Sequence, residues 1–279
     1  MIPARFDYEV AESVEHAAEL LGADPDAKLL AGGHSLVPAM KLRLARPSKL
    51  VDIGRLSDLS YVRDEGSHIA IGALTRHKDV HGAPLLQEHC ALVSHTAGQI
   101  GDPQVRHRGT IGGSLAHGDP ASDLPTVVLA LDAELVVRGT GGERVIPADA
   151  FFTGVFETAL RPGEVLVEVR VPKLAPSTGW AYMKAQRRAQ DWATVGVAAV
   201  VRRSNGTVEA AAVALTNMGG TPLRAIATEA ALASGASAAD AAAQVGEGTS
   251  PPSDHAGSSE YRAALAEILC RRALEQATA

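Results

Sequence analysis

The sequence predicts an α/β chain followed by a smaller antiparallel α+β region, and three observations carry that reading. Strand-like and helix-like stretches alternate over residues 1–55. A hairpin pattern opens a second unit at about residue 56, and after Pro172–Ser177 the chain turns to alternating Val- and Ala-rich segments that give way to helix. With 279 residues, 46% of them hydrophobic, the chain can bury one large core or two to three smaller ones. The units are read as 1–55, 56–174 and 175–279.

Charge and composition exclude several classes. A net charge of −6 with scattered Lys and Arg leaves no basic face for nucleic acid. No stretch approaches the ~18 apolar residues of a membrane span. The opening MIPARFDYEV lacks a charged segment followed by an apolar one, so nothing suggests secretion and the cytoplasm is expected. Only Cys90 and Cys270 are present, too few for an iron–sulfur cluster, which takes about four thiolates. Any such cluster belongs to another chain, and Cys90 reads as a buried structural thiol despite its neighbour His89.

In the first unit, Phe6–Val10 reads as a strand. Ser13 caps a helix to Leu21, with Val14, Ala17, Ala18 and Leu21 on one face and Gly22 closing it. Lys28–Ala31 and Lys49–Ile53 are the next strands. In the second unit, Leu59–Arg63 and His68–Ile71 flank Asp64-Glu65-Gly66 as a hairpin, and Thr75 caps a helix. His77 and His81 have the spacing of a metal pair but no third ligand nearby, so they read as two surface histidines. Ala91–Ile100 forms a helix, Gln104–Arg108 a basic run, and Ser122 caps a helix to Leu131 with Asp123 and Pro125 in its first turn. Leu135–Val137 and Val165–Val169 follow as strands.

In the third unit, Tyr182–Gln186, Ala193–Arg202 and Thr207–Leu215 predict a small antiparallel sheet, with Ser204-Asn205-Gly206 as a hairpin turn. An Ala-rich tract reading as helix, a looser run from Gly246 to Gly257 and a helix over Ser258–Gln276 complete the chain.

The chemistry lies in two Gly-Gly segments, Ala31-Gly32-Gly33-His34-Ser35 and Thr110-Ile111-Gly112-Gly113-Ser114. Adjacent glycines permit positive φ and lack Cβ atoms, so consecutive amides can converge on an anion. Where such a turn feeds a helix, unpaired first-turn amides and the helix dipole add attraction, and a serine hydroxyl adds a donor. Two such turns could clamp one diphosphate. Each alone is more often a plain turn, and neither matches the usual kinase or dinucleotide fingerprint. His34 reads either as a solvent-facing turn residue or as a ligand neighbour.

Four blocks, AGGHSLVPAMKLRLARPSKLVDI (31–53), VRHRGTIGGSLAHGDPASDLP (105–125), AYMKAQRRAQDWATVGVAA (181–199) and SDHAGSSEYRAALAEILCRRAL (253–274), resemble the FAD-binding medium subunit of molybdenum hydroxylases, the xanthine dehydrogenase family. Within it they are most similar to medium subunits of aerobic carbon monoxide dehydrogenases. The resemblance implies a two-subdomain FAD-binding domain of the PCMH type, then an antiparallel sheet with helices. It also implies that Ala31–Ser35 and Thr110–Ser114 hold the diphosphate of noncovalent FAD through backbone amides, with Ile111 and Gly112 close to the flavin. Asp123 would bond FAD hydroxyls, Leu166 would pack near the ring system and Lys184 would reach its polar edge. Read without the family, these three are a helix-start acid, a core residue and a solvated charge.

Two positions depart from the family's pattern: His107 replaces a usual Asn, and Trp192, which the resemblance counts among the cofactor-binding residues, stands where tyrosine is often seen after the Arg-Arg-x-x-Asp run. They bear on flavin access and potential. The function implied is an electron exit: a flavin can collect single electrons from iron–sulfur clusters and deliver them to a quinone, nicotinamide or oxygen. The clusters would sit in an iron–sulfur small subunit and the molybdopterin in a large subunit, assembled as a dimer of heterotrimers. Two alternatives stay open: a self-contained FAD reductase or oxidase of the same binding fold, and a nucleotide-binding module without redox chemistry.

Overall fold

A computed structural model describes all residues, 1–279. The first unit comprises β1 (Asp7–Val10), α1 (Val14–Ala23), β2 (Lys28–Leu30), α2 (Leu36–Lys41) and β3 (Lys49–Asp52). Its sheet is parallel in the order β1-β3-β2, as βαβ connections require. Ser13 caps α1 as expected, its hydroxyl accepting from the His16 amide at 3.1 Å. Gly22 does not close that helix, which runs to Ala23. The stop comes from extended Asp24, whose carboxylate accepts from the Ser48 hydroxyl and the Asp26 amide.

The second unit begins with a 3-10 turn at Ser57–Leu59, so Leu59 precedes the hairpin instead of joining it. Then come β4 (Val62–Asp64), β5 (His68–Gly72), α3 (His77–Gly82), α4 (Pro84–His89), α5 (Ala91–Gly98), α6 (Pro103–Arg108), α7 (Ile111–His117) and α8 (Asp123–Ala130). The unit continues with β6 (Glu134–Gly139), β7 (Gly142–Pro147), α9 (Ala148–Phe151), β8 (Phe152–Gly154), β9 (Glu157–Thr158) and β10 (Val165–Pro172). Its main sheet is antiparallel, in the order β4-β5-β10-β6-β7, and β8 pairs with β9 apart from it. Thr75 does not cap α3: its hydroxyl and the Tyr61 backbone exchange two hydrogen bonds, at 2.9 and 3.0 Å, and tie β4 to the helix entry. The basic run 104–108 is helical because Asp102 caps it, accepting from the Val105 amide, with Pro103 in the first turn.

The third unit holds β11 (Thr178–Ala185), β12 (Val195–Ser204), β13 (Thr207–Thr216), β14 (Leu223–Arg224), α10 (Ile226–Ala233), α11 (Ala238–Ala242) and α12 (Ser259–Ala277). The strands pair in sequence order, and Asn205 and Gly206 turn the predicted hairpin at φ 50° and 82°. The Ala-rich tract is helical only in its two short pieces, whereas the last helix starts at its Ser258 cap. This sheet has two faces with different cores, following strand alternation. Tyr182, Ala198 and Ala214 pack into the large core containing α8, whereas Ala181, Val197, Val213 and Leu215 pack against α11 and α12. A third core joins α1 and β3 to Val136, Val165 and Val167 of the middle sheet.

Arg262 of α12 is wholly buried. Its guanidinium donates to the Thr194 carbonyl and to Asp254, 2.6 Å away, while its Nε lacks a partner. Removing the carboxylate strands a buried charge, whereas removing the arginine does not. Since Asp254 is partly exposed, Asp254→Ala should cost about 2 kcal/mol and Arg262→Met less, read from urea midpoints. The opposite order would show that the charge is not what the carboxylate stabilises.

Candidate functional site

One cleft of about 1100 Å³ is lined by all three units and contains nearly every residue singled out from sequence. Ala31, Gly32, Gly33, His34 and Ser35 form one wall, with Thr110, Gly112, Gly113 and Ser114 on another. Asp123, Leu166, Lys184 and Trp192 also line it. Ile111 does not: it is fully buried in the core beneath. His107 lies on the exposed side of α6, outside the lining.

The two Gly-Gly segments differ in form. Gly33 has φ 73°, the left-handed conformation that glycine supplies without strain. A Cβ on Gly32 would stand 2.3 Å from the Arg108 carbonyl oxygen and 2.9 Å from Gly109 Cα, so glycine lets the two walls touch. The amides of Gly32, Gly33, His34 and Ser35 take part in no hydrogen bond within the chain. His34 curls back, with Nδ1 3.0 Å from the Gly32 carbonyl. The loop is thus a set of unpaired donors on an open wall, which suits a diphosphate.

The second segment is no turn. Gly112 and Gly113 form the first turn of α7, and Thr110 caps it through a 3.2 Å bond from the Gly113 amide. The amides of Ile111, Gly112 and Ser114 go to the carbonyls of Thr75, Ala73 and Thr110. Gly112 serves packing, since a Cβ there would meet Ala73 at 2.5 Å. This wall therefore offers the cleft hydroxyls more than amides.

Deeper in, Asp123 accepts from the Tyr182 hydroxyl at 2.6 Å and from Lys184 Nζ at 2.9 Å. The Asp123 and Lys184 side chains are only 6% and 2% exposed, so Lys184 is no solvated charge. Burial pushes the Asp123 carboxyl up, against the pull of Lys184 and Tyr182. Burial and the Asp123 charge hold the Tyr182 phenol well above its ordinary range, so it stays a donor. Tyr182 and Lys184 stand two apart on one strand face; that spacing was visible in sequence, but their meeting with the start of α8 was not.

Leu166 sits on β10 where the register against β6 shifts. Trp192, 63% exposed, rims the cleft on the loop between β11 and β12. Asn217 and Arg262 hold the base of that loop at the Ala193 and Thr194 carbonyls, and Arg187 donates to the His255 carbonyl. Sequence reasoning missed the His117–Phe156 pair, which lines the cleft with ring centroids 5.0 Å apart.

His77 is also corrected. It is 4% exposed, not on the surface, and it lines the cleft. His81 turns away, its Nδ1 3.0 Å from the Ser94 carbonyl, and no group of three metal-ligating side chains gathers there.

Residues 4–174 match the FAD binding domain in molybdopterin dehydrogenase, and residues 180–277 match the CO dehydrogenase flavoprotein C-terminal domain. The chain belongs to this family, the FAD-binding medium subunits of molybdenum hydroxylases, and is an oxidoreductase subunit. It is 46% identical over 287 residues to the carbon monoxide dehydrogenase medium chain of Hydrogenophaga pseudoflava, covering 100% of this chain and 99% of that one. It is 42% identical over 285 residues to the 6-hydroxypseudooxynicotine dehydrogenase complex subunit alpha of Paenarthrobacter nicotinovorans, covering 99% and 96%. The solved structure of Hydrogenophaga pseudoflava carbon monoxide dehydrogenase lacking the Mo-pyranopterin moiety superimposes with a TM-score of 0.96 at 47% identity, over 99% of this chain and 98% of that one.

Burial, with Arg106 and His34 nearby, pushes His77 from 6.5 down to about 4. As pH falls below 6.5 the unfolded chain takes up this proton first, so folded stability declines until about pH 4. Free of ligand, the chain should lose roughly 3 kcal/mol through His77 over that window, and His77→Gln should flatten this part of the curve. Urea titrations at a series of pH values measure it; parallel curves for the two proteins would assign the loss elsewhere.

Proposed function

We propose that this chain is the FAD-carrying electron-transfer subunit of a carbon monoxide dehydrogenase-like molybdenum hydroxylase. It would take electrons from iron–sulfur clusters of a small subunit, supplied by a molybdopterin large subunit, and pass them to quinone, NAD or oxygen. The assembly would be a cytoplasmic dimer of heterotrimers. The observation that carries the reading is the free-amide loop Gly32–Ser35 facing a three-walled cleft. The names of the medium-chain relatives support the same role, and with it carbon monoxide as substrate. The Paenarthrobacter subunit supports a shared flavin scaffold whose substrate is chosen by another chain.

FAD would supply one- and two-electron transfer. The chain's residues hold and orient it. The loop amides at Gly32–Ser35 would take the diphosphate, with the Thr110 and Ser114 hydroxyls opposite. Asp123, fixed by Tyr182 and Lys184, presents a carboxylate for ligand hydroxyls, and Lys184 a positive charge for an electron-rich edge. Leu166 offers an apolar surface and Trp192 a planar one at the rim. Segments 1–55 and 56–174 are then two halves of a flavin clasp, closed by 175–279. Cys90 and Cys270 lie in different cores, each thiol pushed up to about 12 by burial, so neither serves as a ready thiolate ligand. The donor clusters belong to partner chains.

Acid precipitation of the purified complex should release all flavin as FAD; FMN, or colour kept in the pellet, would rule out noncovalent FAD. Gly33→Val, strained at φ 73°, should weaken FAD binding at least tenfold by fluorescence titration. Carbon monoxide should bleach flavin and cluster absorbance together in the complex and leave the lone chain unchanged. Substrate turnover by the lone chain would defeat the assignment.

A further inference from the structure

Behind the Gly32–Ser35 loop lies a polar side chain that the fold leaves without a partner. His77 is the first residue of α3, set in place by the bridge between Arg76 and Thr110 and by its own amide, which donates to the Gly109 carbonyl at 2.9 Å. The residue is 4% exposed, and Nδ1 is sealed from solvent with no hydrogen-bond partner, so a ligand in the cleft can meet only the Nε2 side of the ring. The Nε2 edge lies against Gly109, where an added Cβ would come within 2.8 Å of Cδ2 and 3.1 Å of Nε2. On its other side Gly109 meets Gly32. One glycine therefore separates the imidazole from the loop of free amides, and all three line the cleft.

The surroundings specify what the Nε2 edge would meet. The charged groups that act on His77 are Arg106 of α6 and His34 of the loop, and no carboxylate is among them. Arg106 is held in place by donating to the Ile100 and Gly101 carbonyls. A local field built from potential cations, with an imidazole neutral at pH 7, suits an anionic acceptor.

Building on the FAD reading above, we propose that His77 is a cofactor-binding residue whose Nε2–H donates to a phosphate oxygen of the diphosphate held at Gly32–Ser35. The loop amides and His77 then grip the diphosphate from two sides of Gly109. This role belongs to the diphosphate alone and leaves the flavin ring untouched.

The test uses the assembled complex stripped of flavin, with three probes: FAD, ADP (which keeps the diphosphate) and riboflavin (which has none). His77→Leu should weaken FAD and ADP alike by roughly ten- to a hundredfold and leave riboflavin within about twofold. His77→Gln, which keeps an N–H donor, should recover at least part of the loss. Because ADP and riboflavin are compared on one sample, partial misfolding lowers both and leaves their ratio intact. An unchanged ratio in His77→Leu, or no recovery in His77→Gln, would overturn the proposal. Failure of the parent complex to bind FAD would instead overturn the flavin reading itself.

Discussion

The close approach of Gly32 to the Arg108 carbonyl and Gly109 is the constraint on which the cleft depends. Two backbones meet there with no side chain between them. That contact fixes the distance between a parallel βαβ wall and a wall made from α6 and α7, and it sets the loop amides facing the space between. It also explains why the two Gly-Gly segments do different work. One keeps its amides free on an irregular loop; the other spends them on Ala73, Thr75 and Thr110, and uses Gly112 to let α7 lie against the end of β5. α2 and α7 are short, so helix dipoles contribute less than the sequence pattern suggests, and the individual donors matter more.

Features written within a few residues were legible in the sequence. The Ser13 cap, the Asn205-Gly206 turn, the strands of the first unit and the last helix depend on local chemistry, and they stand where expected. The second Gly-Gly misled because glycine pairs look alike in a turn and in a first helical turn. The distinction rests on Ala73 and Thr75, some forty residues away in sequence. Thr75 was misread for a similar reason: its hydroxyl prefers the Tyr61 backbone, a partner that only the fold supplies.

Burial was the least legible quantity in the site. Read without the family, Lys184 is a solvated charge and His77 a surface histidine, yet both are enclosed by elements distant along the chain. Trp192 illustrates the converse, a large aromatic left open at a rim whose base is tied by Arg262 and Asn217. Enclosed polar groups and exposed aromatic ones both depart from what packing alone favours, and here they gather around one cleft.

The two-faced sheet of the third unit carries an implication for how the chain finds its fold. Trp180, Tyr182 and Lys184 share the face toward α8, while Ala181, Met183 and Ala185 face α12. A slip of one residue along β12 would turn the Lys184 ammonium into an alkane-like layer and leave Asp123 facing a methyl group. The ion pair thus works as an alignment key: misregistered sheets are penalised by the same charges that line the cleft. Changes at Lys184 would also loosen the chain's protection against assembling that sheet wrongly.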